Sequence, residues 1–238
     1  MRSLYENMYI SDGFSLDHQI EVTFDVMDAN GTRVDTVNMR YMAKEDVDQY
    51  GQKKKLSLRT EGTVMGNSIL IMQDYYYDNK CCIMDKITED EQGNIKHEFE
   101  KTDVPGNFDY NPMLSLAVLI SDKPGEFTLT ANRLNGSISL QDIGTFLQLC
   151  PFNDLFKGVE NLDCFDKQVN ELVLFSDGSR LQSLTLDLSR VAYFLVSPIY
   201  LEQGLNVKIQ TYRMTVFVNS WETPKIEMPN MEETNESK

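Results

Sequence analysis

Apolar and polar residues alternate with period two along most of the chain. From His18 to Met27, Ile20, Val22, Phe24 and Val26 interleave with Glu21, Thr23 and Asp25, which sets one row in a core and the other in water. Asn30-Gly31 follows, a dipeptide that tolerates the positive φ of a tight hairpin, and Val37, Met39 and Tyr41 resume the alternation. Lys44–Lys55 reads as a polar connection. Beyond it, Leu56 and Leu58 begin a strand, Met65-Gly66-Asn67 marks a turn, and Ile69–Met72 opens the next strand. Tyr75–Tyr77 and Cys81–Met84 flank an Asp78-Asn79 turn, and His97–Glu100 extends a further strand with Phe99 inward.

Two segments change period. Asn111-Pro112 supplies an N-cap and a first-turn proline ahead of Met113–Ile120, whose apolarity predicts a short buried helix. Ile143, Phe146, Leu147 and Cys150 share one helical face before Pro151, and Asn153–Gly158 adds a further turn. Strands then return over Val169–Phe175 and Leu184–Leu188, around the turn Ser176–Ser179. In the last strand Val207 and Ile209 hold odd positions, whereas Tyr212, Met214, Val216 and Val218 hold even ones. One extra residue near Gln210–Thr211 accounts for that change of phase, so a β-bulge is predicted there.

About ten one-sided strands with two or three short helices cannot stay flat without leaving an apolar face wet. The predicted fold class is therefore mainly β (α+β): a curled antiparallel sheet forming an incomplete barrel, with the helices over its open side. Residues 1–229 are expected to form a single domain, and residues 230–238 an acidic disordered tail.

Composition narrows the function classes. The 238 residues carry 22 Lys+Arg against 37 Asp+Glu, a net charge of −15, which repels phosphate backbones and argues against nucleic acid as a partner. No apolar run approaches the ~20 residues of a membrane-spanning helix. With two histidines and no C-x-x-C, no metal site is expected, and Cys81, Cys82, Cys150 and Cys164 read as buried thiols. A Cys150–Cys164 bridge is the minority alternative. No nucleophile elbow, phosphate loop or H-E-x-x-H helix is present. Asp17-His18 reads as surface, Asp85, Glu89, Asp90 and Glu91 resemble a cation site only in charge, and Glu89–Asn94 reads as a solvated loop, so no catalytic residue and no cofactor is predicted. The N-terminal residues Met1–Asn7 lack the apolar stretch of a signal peptide.

Three stretches carry a resemblance. Lys54–Thr60, Met65–Ile69 and Asp74–Asp78 are similar to a basic strand, a turn and a "YYxDG" strand. Glu171–Asp187 forms a D-G turn hairpin, and Phe217–Pro229 is similar to a closing strand with an "I-x-x-P" end. Together they resemble the bacterial lipoprotein-carrier superfamily, which includes LolA and LolB, the LppX/LprG lipoproteins and related lipoproteins of Gram-positive bacteria. The resemblance covers His18 to Pro229, and the lipobox cysteine of many members is absent from this sequence. It implies a non-enzymatic, extracytoplasmic cell-envelope protein that holds an acyl chain or lipidated ligand in an apolar cavity, with a cytoplasmic placement left open.

The physical basis for such binding is that a sheet too wide for its side chains to fill leaves a cavity favourable to ligands leaving water. The 12 methionines suit it, because flexible thioethers repack around variable ligands. The residues expected to face the cavity or core are Phe24, Met39, Leu70, Met72, Leu116, Ile120, Phe146, Leu186 and Met214. The alternative is an envelope protein-interaction or adhesion module using exposed aromatics, with Tyr75–Tyr77 and Trp221 as candidates.

Overall fold

The computed structural model describes residues 11–89, 93–103, 113–161, 166–178 and 180–230. The predicted cap Asn111-Pro112, the thiol Cys164 and residues 231–238 of the predicted tail lie outside the described residues. Strands β1 (Gly13–Met27), β2 (Arg33–Asp48), β3 (Lys53–Val64), β4 (Asn67–Tyr77), β5 (Cys82–Glu89) and β6 (Ile95–Thr102) follow one another. Helix α1 (Met113–Asp122) precedes β7 (Phe127–Thr130) and β8 (Arg133–Ser139), and α2 (Leu140–Leu149) precedes β9 (Gln168–Ser176) and β10 (Leu181–Asp187). Helix α3 (Ser189–Leu201) and β11 (Asn206–Ser220) complete the chain of elements.

All eleven strands join one antiparallel sheet in the order β6-β5-β4-β3-β2-β1-β11-β10-β9-β8-β7. Successive hairpins carry the chain from central β1 out to edge β6. The connection containing α1 brings it to the opposite edge at β7, and β11 closes against β1. The sheet is open, and edge β6 is blunted by Lys96, Glu98, Glu100 and Lys101.

Register converts the alternation into two faces. Phe24 pairs with Val37, Val22 with Met39 and Ile20 with both Tyr41 and Met214, so these rows point the same way, toward the helices. The helices contribute Leu116 and Ile120 from α1, Ile143, Phe146 and Leu147 from α2, and Val191 and Ala192 from α3 to one continuous core. Each such large side chain contributes about 1.5–3 kcal/mol on leaving water. Helix α2 is capped at its N-terminus: Ser139 Oγ accepts from the Asp142 amide at 3.1 Å, and Asp142 pairs with Lys123.

The bulge falls where the phase change places it. Thr23 pairs with Thr211 and Phe24 with Ile209, leaving Gln210 as the extra residue. Its side chain donates to Asp25 Oδ2 at 2.8 Å on the face away from the helices.

Several expectations are corrected. Lys44–Lys55 is the end of β2, a short turn and the start of β3, not a polar connection. It looked polar because Glu45 and Lys54 occupy the inward row and neutralise each other there. Leu70 and Met72 face neither core nor cavity. Register pairs Gly62 with Ile69, Thr60 with Ile71 and Leu58 with Gln73, so the odd row of β4 faces the helices and the even row is turned away. Leu70 is accordingly 48% exposed. Phe99 pairs with Asp85 on that same outward side rather than inward. Strands β7 and β8 and helix α3 carried no prediction.

Candidate functional site

Between the helix-covered face of β1–β4 and the helices lie two adjoining cavities. The first, about 570 Å³, is lined by Val22, Phe24, Val37 and Met39 from the sheet and by Leu195 and Tyr200 from α3. Phe24 meets Tyr200 edge-on, with ring centroids 5.4 Å apart. Its sheet and α3 walls are apolar because the inward rows of β1 and β2 are apolar and α3 turns Leu195 and Val196 toward them, while Asp154 and Lys157 also line it. Tyr193, Phe194, Ile199 and Leu201 remain exposed on α3, and Phe194 and Ile199 also stand on the lining of this chamber.

The second cavity, about 520 Å³, lies under β3 and β4 and the segment that follows α2. Its sheet wall carries Lys54, Leu56, Leu58, Gln73, Tyr75 and Tyr77. Tyr75 and Tyr77 stack at 6.2 Å with 14° between their planes, and the Tyr75 hydroxyl donates to Gln73 Oε1 at 3.3 Å. Burial pushes the hydroxyl pKa of both tyrosines up, so both stay protonated at neutral pH.

Tyr41, Asp154 and Leu155 line both cavities, so the two chambers share a partition. On the side of the second cavity the Tyr41 ring meets Phe152 edge-on at 5.6 Å. Phe152 has φ +63° and ψ 28°, a left-handed conformation that bulky side chains rarely adopt and that surrounding packing must sustain. Buried Pro151 precedes it, and the Leu155 amide donates to its carbonyl at 2.9 Å.

Behind the second chamber, three titratable side chains meet on adjacent strands. His18 on β1 shares a 2.8 Å hydrogen bond between Nε2 and Glu45 Oε2, and Lys54 on β3 pairs with the other carboxylate oxygen of Glu45. His18 and Glu45 side chains are fully enclosed and Lys54 nearly so. Burial would raise the Glu45 pKa, but the Lys54 ammonium and the His18 hydrogen bond outweigh it and pull the carboxyl down to about 2. The expected surface position of His18 is thus overturned. Cys150 on the lining is a free thiol raised well above its ordinary range, by burial and then by the Glu45 charge, which leaves it protonated and unreactive.

Of the residues singled out from sequence, Phe24 and Met39 line the first chamber. Leu116, Ile120, Phe146, Leu186 and Met214 are packed inside the core, and Leu70 and Met72 lie on the outward row. Tyr41, Lys54 and Phe152 were not singled out. The signal for Lys54 was its phase, since residues 54, 56 and 58 form one row.

Among the aromatics considered for protein contact, Tyr75 and Tyr77 line the second chamber. Trp221 packs against Phe14 with ring centroids 6.1 Å apart and donates Nε1–H to the Leu181 carbonyl at 2.9 Å. Tyr76, on the outward row, lies under the Lys55 ammonium at 5.0 Å. Among the described residues, no group of three His, Cys, Asp or Glu side chains is placed to hold a metal ion, and no helix is long and apolar enough to cross a membrane. The chain matches no protein-family model and no curated protein.

Proposed function

We propose that this protein is a non-enzymatic carrier that holds an acyl chain or the lipid part of an acylated ligand between its sheet and its helices. In this reading the open eleven-stranded sheet curls as an incomplete barrel, with α1, α2 and α3 over its open side. The observation that carries the reading is the apolar chamber of about 570 Å³ beside Phe24 and Met39, a size within the ~300–1,000 Å³ range of small-molecule cavities. Each methylene moved there from water contributes about 0.8 kcal/mol, so about eight supply roughly 6 kcal/mol before ordering costs. The exposed apolar residues of α3 then serve as the rim over which a chain enters without crossing bulk water. The resemblance of Lys54–Thr60, Met65–Ile69, Asp74–Asp78, Glu171–Asp187 and Phe217–Pro229 to lipoprotein carriers points the same way and supports a role in the cell envelope.

The test is uptake of a fluorescent long-chain fatty acid, together with native mass spectrometry of protein purified from its own cells. Saturable uptake at one site and a co-purifying acyl species are expected. Met39→Trp, which narrows the chamber, is expected to weaken uptake while the protein stays folded. A folded protein that takes up no probe, or whose uptake ignores Met39→Trp, contradicts the reading.

A further inference from the structure

The two chambers differ in chemistry yet share a wall. The first offers apolar contact from Phe24, Met39 and Leu195, whereas the second adds amide and hydroxyl groups from Gln73, Tyr75 and Tyr77. We propose that they hold one amphiphile end to end, its chain beside Phe24 and Met39 and an uncharged, hydroxyl-bearing head beside Gln73 and Tyr75. This deepens the carrier reading and rests on it.

Charge balance selects the head. The Lys54 ammonium on the lining is matched by the Glu45 carboxylate, and the Asp154 carboxylate by Lys157 at 2.6 Å. At the enclosed Lys54 end a carboxylate or ammonium head therefore meets no surplus counter-charge and loses hydration that the pair does not replace, whereas the Asp154–Lys157 pair is largely exposed. Hydroxyls suffer no such penalty, because they both donate and accept. The Tyr75 hydroxyl, which donates to Gln73, still offers an acceptor oxygen. The near-parallel faces of Tyr75 and Tyr77 supply a flat apolar surface for the C–H side of a glycerol or sugar unit.

The partition gives the arrangement its direction. Tyr41 lines both chambers and meets Phe152 on the side of the second, so an amphiphile spanning both passes the Tyr41 ring. Phe152 already sits in a conformation held against its own preference, which lowers the cost of moving it. Burial keeps the Tyr41 hydroxyl protonated and able to hydrogen-bond at the chain-to-head junction.

The experiment compares three probes with one chain length: monododecanoylglycerol, dodecanoate and dodecyltrimethylammonium, each titrated calorimetrically below its micellar concentration. The glyceride is expected to bind about tenfold tighter than either charged probe, as one or two satisfied hydrogen bonds imply. Gln73→Leu combined with Tyr75→Phe is expected to erase that preference. Gln73→Leu alone is the milder variant should the pair unfold. A charged probe that binds as tightly as the glyceride, or a preference that survives these substitutions, overturns the assignment of the head. Failure of all three probes to bind folded protein instead removes the carrier reading beneath it.

Discussion

Replacing Glu45 with Gln leaves the Lys54 ammonium buried without its carboxylate. Glu45 is enclosed on β2 between His18 and Lys54, and removing one partner of such a pair costs about 3–5 kcal/mol, mostly the penalty on the charge left behind. Titration supplies a second measure. The carboxyl is held at about 2 in the fold against an ordinary 4.5, a difference corresponding to about 3 kcal/mol. Because the folded pKa lies below the unfolded one, this stabilisation is complete above about pH 4.5 and is lost as pH falls toward 2. Urea unfolding at pH 7 is therefore expected to show Glu45→Gln destabilised by about 3 kcal/mol, and the gap between parent and variant is expected to narrow as pH drops to 3. The double variant Glu45→Gln with Lys54→Met removes both charges and is expected to recover more than half of the loss. A single variant within about 0.5 kcal/mol of the parent, or a double variant no better than the single, refutes the argument that the two charges hold each other inside the sheet.

Three further outcomes follow from local geometry. A Cβ on Gly62 would lie 2.1 Å from the Asn38 carbonyl oxygen and 2.9 Å from Met39 Cα, so Gly62→Ala is expected to cost about 1–3 kcal/mol in chemical denaturation; no loss contradicts the close approach of β2 and β3. Phe152→Gly and Phe152→Ala both remove the contact with Tyr41, but only glycine relieves the left-handed backbone, so thermal unfolding is expected to favour the glycine variant by about 1 kcal/mol; an alanine variant of equal stability refutes the strain. Leu70→Ser is expected to stay within about 0.5 kcal/mol of the parent, whereas Ile69→Ser, whose side chain packs toward the core, is expected to cost at least about 1 kcal/mol; the reverse order refutes the register of β4.

Sheet and helices were legible to different degrees. Alternation read β1 and β11 well, down to the extra residue at Gln210, because one row of each faces the core and the other faces solvent. It failed where both rows carry one character. Ile69–Met72 is apolar on each side, so nothing local chose the odd row, and Leu70 and Met72 were placed on the wrong face. Glu45 and Lys54 broke the pattern in the other direction, since a charge inside a sheet is indistinguishable in sequence from a charge in a loop until its partner is known. Helix α3 was hidden by its composition: β-branched and aromatic residues around Pro198 read equally as strand or loop. The inward row gave the apolar chamber its Phe24 and Met39 wall. The second chamber was out of reach because it forms where β3 and β4 meet the Phe152 segment, a long-range contact.

The most direct measurement is a crystal structure of the protein grown with a bound dodecyl-chain amphiphile. The account predicts continuous density for the chain between β1–β4 and α3, in van der Waals contact with Phe24 and Met39. Density lying only on the outer surface of α3, or a chamber closed by side chains with the ligand bound elsewhere, contradicts it.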